Sequence, residues 1–201
     1  AEPAFWAFAL ATSMYGLVSS GVQLFNQDIL KEQGFGVPEY YRLMSLSAGL
    51  GLAGNFLGGF LAQRFGLRQV MTLSMTLLAA ALFWMPHTKT NIDLVGYAVG
   101  MSLGGGMMTV VFFTAFGKVF GRLHLGQIQG IAQMLTVFAS AAGQKLVPYC
   151  NSQWHSYRPF FYASGAVVLA MGIWTLLLRL PTPMVSGTDA ESPTGDSVAK
   201  P

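Results

Sequence analysis

Charged residues in this sequence are confined to short gaps between six long, uncharged, apolar windows. Asp, Glu, Lys and Arg together make up only 9% of the 201 residues. A soluble domain usually carries about a quarter charged residues, because its surface must be hydrated. A helix that crosses roughly 30 Å of hydrocarbon needs about 20 apolar residues, and each window approaches or exceeds that length. The chain is therefore predicted to be an all-α membrane protein with six transmembrane helices.

The predicted spans have definite bounds along the chain. They lie at roughly residues 4–27, 43–63, 69–86, 94–117, 125–149 and 159–179, within a bundle of residues 1–180. Residues 181–201 are rich in Pro, Ser, Thr, Gly and Asp, with little to bury, and are predicted to be a disordered tail. Six spans place both termini on one side, but Lys and Arg are divided almost equally between the two sides. The positive-inside rule therefore does not decide the orientation.

The remaining composition bears on partners and cofactors. The net charge of +3 is spread over short gaps, with no basic stripe, so nucleic acid is not an expected partner. Cys150 is the only cysteine, which excludes an intrachain disulfide and a cysteine-based metal site. No cofactor or metal is predicted. The chain begins Ala-Glu-Pro without the features of a signal peptide, and we expect a fragment or a chain trimmed before the first helix.

Two of the predicted helices carry a continuous polar face. Residues three or four apart share one helix face, and each set stays within roughly 80° of arc. The sets are Thr12, Tyr15, Ser19, Gln23 and Asn26 on the first helix, and Gln129, Gln133, Thr136, Ser140 and Gln144 on the fifth. Such side chains must face protein or water, since lipid offers no hydrogen-bond partner. Interhelical hydrogen bonding is one explanation. Two full-length stripes favour a water-filled path, whose substrate-cavity residues would include Tyr15, Ser19, Gln23, Asn26, Gln129, Gln133, Thr136 and Ser140.

The other helices have different patterns. Small residues recur on the second helix at Ser47, Gly51, Gly54 and Gly58, and the fourth contains Gly104-Gly105-Gly106. Small residues allow close helix packing, so tight packing is predicted there, with a hinge as the alternative. The third and sixth helices carry little polarity and are predicted to lie at the lipid-facing periphery.

Short motifs link the two halves of the chain and point to a family. Ala53-Gly54-Asn55-Phe56-Leu57 is faintly echoed by Ala142-Gly143-Gln144-Lys145-Leu146, as in an inverted three-plus-three repeat. The segment from Gly59 to Arg68, GFLAQRFGLR, resembles the cytoplasmic loop signature of the major facilitator superfamily, with Gly59, Arg64, Gly66 and Arg68 at its characteristic positions. The stretch FGRLHLGQIQGIAQMLTVFASAAG and the segment Ser156–Pro159 are similar to the bacterial monocarboxylate-porter-like branch.

The resemblance implies an architecture and a mechanism. It implies that residues 4–180 are the C-terminal six-helix half of a twelve-helix carrier, arranged as a 3+3 inverted repeat. It also implies a partner, the N-terminal six-helix half, and a rocker-switch movement around a solute held near the midplane. The protein would be multi-pass in the cell (inner or plasma) membrane, with both termini cytoplasmic.

The chain departs from the family pattern at two positions. The acidic residue of the loop signature is Gln63 here. Anion-carrying relatives often have an arginine where this chain has Asn55, so Asn55 joins the predicted cavity residues and a simple carboxylate substrate is put in doubt.

Few charges fall within the spans themselves. Lys145 is a possible anion contact, but it lies about 140° from the fifth-helix stripe and near Pro148, where it could instead snorkel to the interface. No Asp or Glu lies within a span, so this segment supplies no carboxylate for proton coupling. We expect a secondary carrier for a small polar organic solute, and not an enzyme.

Two other classes of protein remain open. Gly100-Met101-Ser102-Leu103-Gly104 matches G-x-S-x-G on the fourth helix, as in a rhomboid-like intramembrane serine protease. That enzyme needs a histidine base, and the sixth window contains none. The third class is a non-transporting membrane receptor or assembly protein built on the same bundle.

Overall fold

The computed structural model describes residues 2–120 and 125–177, and these residues form six α-helices. The helices are α1 (Glu2–Glu32), α2 (Val37–Arg64), α3 (Leu67–Trp84), α4 (Asn91–Phe120), α5 (Leu125–Trp154) and α6 (Arg158–Leu177). A single 3₁₀ turn, Met85–His87, follows α3. Each predicted span falls largely on one of these helices. The predicted tail, residues 181–201, lies outside the described residues.

Most of the helices have the length and composition of membrane spans. Five of them, α1, α2, α3, α4 and α6, are long and apolar enough to cross a bilayer. The exception among the described helices is α5, whose sequence contains five glutamines along with Lys145 and Asn151. At 1.5 Å per residue, a 30-residue helix such as α4 is about 45 Å long. Its ends therefore extend beyond the roughly 30 Å hydrocarbon layer.

Glycine in the left-handed backbone region makes two of the connections short. Gly34 has φ 88° and Gly66 has φ 92°, a conformation that only glycine adopts without steric cost. After Gly34 the chain turns back, and the Phe35 amide donates to the Leu30 carbonyl at 2.9 Å, which closes α1 as a Schellman-type C-cap. Gly66 allows α3 to begin three residues after α2 ends.

Carboxylates organise the end of the bundle that carries the α1–α2, α3–α4 and α5–α6 connections. Asp93 Oδ2 accepts hydrogen bonds from the Thr90 amide and hydroxyl at 3.0 and 2.9 Å, which caps α4. Glu32, at the end of α1, accepts from the Ser156 hydroxyl at 2.6 Å and from the Tyr157 amide at 3.0 Å. Burial and the nearby carboxylates raise the pKa of Tyr157 above its ordinary value. Glu32 thereby joins α1 to the start of α6.

The helices pack in pairs that are distant in sequence. The most extensive interfaces are α1 with α5 and α2 with α4, and α3 packs against both α4 and α6. Many side chains of α3 are buried between these two neighbours, whereas Leu73 and Thr76 on its remaining face are exposed, so its place at the lipid-facing periphery stays a prediction. Lipid and a protein core are both apolar, so a lack of polar residues could not distinguish the two environments.

Small residues form the two largest interfaces. On α2, Gly54 lies against the Leu103 backbone of α4, where a Cβ atom would be 2.8 Å from the Leu103 oxygen. On α5, a Cβ atom at Gly143 would collide with the Leu17 oxygen of α1. Ser20 adds a hydrogen bond to the Ser140 carbonyl at 2.7 Å. These contacts bring the backbones together and fix which faces of α1, α2 and α4 remain free.

Candidate functional site

A cavity of about 450 Å³ lies between α1, α2 and α4. Helix α1 contributes Tyr15, Ser19, Val22, Gln23 and Asn26. Helix α2 contributes Leu43, Met44, Ser47, Ala48, Gly51 and Asn55. Helix α4 contributes Tyr97, Met101, Ser102, Gly105, Gly106 and Thr109. Five of the nine predicted cavity residues, Tyr15, Ser19, Gln23, Asn26 and Asn55, are thus brought together.

The cavity runs from the middle of the bundle towards the end that carries the α1–α2 and α3–α4 connections. With a rise of 1.5 Å per residue, Asn26, Leu43 and Tyr97 lie about 9 Å from that end of their helices. Tyr15, Asn55 and Thr109 lie about 25 to 27 Å from it. The first group forms the mouth of the cavity and the second its deep end, which is near the middle of the three helices.

The polar residues of α1 follow one another along the cavity wall. The Gln23 amide donates to the Ser19 hydroxyl oxygen at 2.9 Å. Tyr15 lies one helical turn before Ser19 on the same face. The spacing of four residues, which made the stripe visible in the sequence, places these side chains side by side.

The Tyr15 ring crosses from α1 to α4 at the deep end of the cavity. Its hydroxyl oxygen would be only 2.6 Å from a Cβ atom at Gly105, so the phenol fits because residue 105 has no side chain. At the next residue, a Cβ atom on Gly106 would lie 2.8 Å from the backbone nitrogen of Asn55. The Tyr15 side chain and the Asn55 backbone therefore contact consecutive residues of α4.

Two asparagine side chains in the wall have an unused hydrogen-bond acceptor. The Oδ1 atoms of Asn26 and Asn55 are buried and have no hydrogen-bond partner within the described part of the chain. Asn26 is only 4% exposed. An unpaired buried polar atom costs about 1–3 kcal/mol, so these two oxygens lower the stability of the wall around them.

The cavity wall carries no ionisable Asp, Glu, Lys, Arg or His among its lining residues. Its polar groups are amides and hydroxyls, interrupted by apolar side chains such as Val22, Leu43 and Met101. The chemistry available to a bound molecule from this chain is therefore hydrogen bonding and apolar contact.

Several lining residues were not predicted, because the small residues of α2 and α4 indicate tight packing and not a cavity wall. The small-residue stripe of α2 divides between two adjoining faces: Gly54 and Gly58 pack on α4, whereas Ser47 and Gly51 line the cavity. Ser47, Gly51 and Asn55 are spaced four residues apart, so they share one face with polar residues at both ends. That spacing was a signal that could have identified them.

The predicted cavity residues of α5 are placed elsewhere. Thr136 and Ser140 lie against Gly16 of α1, where a Cβ atom would be 2.7 Å from Thr136 Cγ2 and 2.9 Å from Ser140 Oγ. Gln129 is half-buried and Gln133 is exposed on the outside of the six-helix bundle. Lys145 is also exposed and does not line the cavity.

The loop-signature residues surround the turn between α2 and α3. Arg64 is the last residue of α2, and its guanidinium lies 5.7 Å from the centre of the Phe65 ring. Gly66 provides the left-handed turn, and Arg68 follows in the first turn of α3. Gly59 is half-buried on α2, and a Cβ atom there would meet nothing within 4 Å.

Ser102 lines the cavity, but the described histidines are far from it in the fold. His87 ends the turn after α3, and His155 follows the end of α5. Neither residue lines the cavity. His124 lies outside the described residues.

Comparison with known proteins supplies the family. No curated protein matches the sequence significantly. The profile of the Major Facilitator Superfamily matches residues 7–200, which is nearly the whole chain. Together with the apolar helices, this match shows that the chain belongs to the major facilitator superfamily of membrane transporters.

Proposed function

We propose that this chain is the C-terminal half of a rocker-switch secondary carrier for a small polar organic solute. The observation that carries the proposal is the cavity between α1, α2 and α4, which places amide and hydroxyl groups near the middle of a bundle of apolar helices. Polar groups at that depth are costly unless they face protein or water, so they mark a solute path. We also propose that the carrier belongs to the bacterial monocarboxylate-porter-like branch, because two of its segments are similar to that branch.

An inverted 3+3 repeat underlies the proposed half. Exchanging α1 with α4 and α2 with α5 converts the α1–α5 interface into the α4–α2 interface, and these are the two most extensive in the bundle. Individual contacts also correspond, with one constant difference in residue number between α2 and α5 and another between α4 and α1. The contact of Gly54 with Leu103 corresponds to that of Gly143 with Leu17, and the contact of Gly58 with Met107 corresponds to that of Val147 with Gly21. The contact of Gly51 with Gly106 corresponds to the hydrogen bond between Ser140 and Ser20.

The proposed partner is an N-terminal six-helix half that covers α2 and α5. Only 17% of the most apolar stretch of α2 is buried within the bundle, the lowest value among the five candidate spans. Its exposed side chains include Phe56, which is 76% exposed, and α5 exposes Phe138 at 68%. Next to these apolar residues α5 also exposes Gln133, an amide that lipid cannot satisfy. A partner helix or a shared aqueous path would satisfy it.

The orientation is part of the proposal. The turn at Gly66 and both chain termini lie on the cytoplasmic side of the inner or plasma membrane, in keeping with the loop signature. The mouth of the cavity then faces the opposite side, because Asn26, Leu43 and Tyr97 lie near the α1–α2 and α3–α4 connections.

Reconstitution of the full protein into liposomes tests the function. We expect uptake of at least one solute from a panel of labelled polar compounds. Gln23→Leu should lower that uptake about tenfold, since it removes a hydrogen-bonding group from the cavity wall. Thr76→Val, on the exposed face of α3, is the control and should not change uptake. If no solute moves across a broad panel, a non-transporting role replaces this proposal.

A further inference from the structure

The end of α1 is joined to the start of α6 at the end of the bundle where the cavity has its mouth. We propose that this contact is a latch, which holds the end of α1 back from α2 and α4 and favours the state of the carrier in which the mouth is open. This inference rests on the proposed function, because it concerns the balance between two states of a rocker-switch carrier. Three features carry it: the hydrogen bonds of one carboxylate, the place of α1 beside the cavity, and the different chemistry at the opposite end of the bundle.

Glu32, the last residue of α1, uses both of its carboxylate oxygens in this contact. Its Oε1 atom accepts a hydrogen bond from the Ser156 hydroxyl at 2.6 Å, and its Oε2 atom accepts one from the Tyr157 amide at 3.0 Å. The Ser156 oxygen in turn accepts from the Arg158 amide at 3.2 Å. The carboxylate therefore serves two amides at the N-terminus of α6, one directly and one through Ser156. A negative charge is favourable there, because the unpaired amides carry partial positive charge.

The α6 side of the contact is fixed to the bundle. Tyr157 is only 7% exposed, and its hydroxyl oxygen accepts a hydrogen bond from the side-chain amide of Asn151 on α5 at 3.3 Å. Three residues, 155–157, connect α5 to α6, so the start of α6 cannot move far from the end of α5. Breaking the hydrogen bonds of Glu32 therefore releases the end of α1 and not the start of α6.

Helix α1 lies between this fixed point and the cavity. Its Gly16 and Gly21 pack against α5, whereas Gln23 and Asn26 of the same helix line the cavity with α2 and α4. Asn26 lies at the mouth, about 9 Å along the helix from Glu32. A movement of the end of α1 towards α2 and α4 narrows the mouth and draws Glu32 away from α6. The hydrogen bonds of Glu32 oppose that movement.

The proposed repeat relates the start of α6 to the start of α3 at the opposite end of the bundle. A difference of 89 residues separates Gly54 from Gly143, whose contacts correspond. The same difference relates Gly66, in the α2–α3 connection, to His155, in the α5–α6 connection. Both residues have positive φ, 92° and 50°. Positive φ is uncommon for residues other than glycine, so its occurrence at matching positions indicates that the two connections turn in the same way.

The position on α4 that corresponds to Glu32 carries the opposite charge. A difference of 86 residues separates Leu17 of α1 from Leu103 of α4, and the same difference relates Glu32 to Lys118. A lysine has no hydrogen-bond acceptor to offer to the amides of a helix N-terminus, and a positive charge near such an N-terminus is unfavourable. A carboxylate is thus supplied at the mouth end and not at the corresponding position of the other end, which favours the state that is open at the mouth.

The test measures how readily the cavity is reached through its mouth. The reporter is a single thiol, Ser47→Cys in a Cys150→Ser background, which lines the cavity on α2. A membrane-impermeant, charged methanethiosulfonate reagent is added to intact cells that make the full protein. Glu32→Ala removes both acceptors and should slow modification of the thiol about three- to tenfold, as expected when one or two hydrogen bonds no longer favour the open state. Glu32→Gln, which keeps one acceptor, should slow it less.

Matched variants separate the latch from a general effect of charge or reagent access. Asp28→Ala removes a carboxylate from the same polar cleft as Glu32 but none of the hydrogen bonds to α6, so it should leave the rate unchanged. Ser156→Ala removes one of the two bonds, and its effect should shrink when Glu32→Ala is already present, because the two residues act through one contact. Thr90→Cys, in the α3–α4 connection, replaces the cavity thiol and should react equally with and without Glu32→Ala.

The results distinguish failure of the latch from failure of the carrier function. An equal or higher rate of modification in Glu32→Ala, combined with uptake of a solute by the unchanged protein in liposomes, would overturn the latch and leave the carrier function standing. Equal slowing by Asp28→Ala would also overturn the latch, since loss of charge alone would then be sufficient. If no solute of a broad panel is taken up, the carrier function is lost and the latch with it.

Discussion

The Tyr15 hydroxyl is the point at which the polar face of α1 meets α4. The periodic spacing of Tyr15, Ser19, Gln23 and Asn26 is a property of the sequence alone, and it predicted that these side chains share a face. The fit of the phenol against Gly105 could not be predicted, because it depends on how closely α1 and α4 approach each other. Gly105 was identified only as one member of a glycine run.

The contact between Tyr15 and Gly105 gives a prediction at the scale of single residues. Gly105→Ala places a methyl group 2.6 Å from the Tyr15 oxygen, so the ring must move, at a cost of about 1–3 kcal/mol for such overpacking. We expect a lower thermal midpoint and reduced uptake. Adding Tyr15→Phe should recover part of the stability, because the closest remaining ring atoms are 3.3 Å away.

The control for this prediction is Gly49→Ala on α2, where a new Cβ would meet nothing within 4 Å. It should leave stability unchanged or raise it slightly, since alanine favours a helix more than glycine does. Equal destabilisation by Gly105→Ala with and without the Tyr15 hydroxyl would contradict the described contact.

At the scale of helices, the existence and order of the six elements followed from the placement of charges, whereas their pairing did not. The stripe on α5 shows why. Its Thr136 and Ser140 are as polar as Ser19 of α1, yet they lie against Gly16 and not in the cavity. A periodic pattern states which residues share a face but not what that face contacts. Ser74 makes the same point, because it lies on a largely apolar helix and donates to the Gly104 carbonyl at 2.7 Å.

The α1–α5 interface gives the prediction at this scale. A methyl group at Gly143 would collide with the Leu17 carbonyl, which belongs to the backbone and cannot rotate away. Gly143→Ala should therefore separate the two helices and lower stability by more than the about 1–3 kcal/mol typical of side-chain overpacking. Gly130→Ala on the same helix meets open space and serves as the control. Thermal unfolding in detergent measures both, and similar midpoints for the two variants would count against this packing.

At the scale of the whole molecule, the sequence left the orientation undecided, and the family resemblance proposes an answer. The proposal predicts where single cysteines react in a Cys150→Ser background. Thr90→Cys, between α3 and α4, should react with a membrane-impermeant maleimide on intact cells. Gln63→Cys, at the end of α2, should react only after permeabilisation. The reverse pattern would place the termini outside the cell.

We propose that the solute crosses the membrane through the cavity between α1, α2 and α4. Cysteine accessibility combined with uptake tests it most directly, using the full protein in the Cys150→Ser background. Ser47→Cys and Ser102→Cys place thiols on two walls of the cavity, and Thr76→Cys places one on the exposed face of α3. We expect a charged methanethiosulfonate reagent to modify the two cavity thiols and block uptake, while Thr76→Cys keeps its uptake. Unreactive thiols at 47 and 102, or full uptake after their modification, would contradict it.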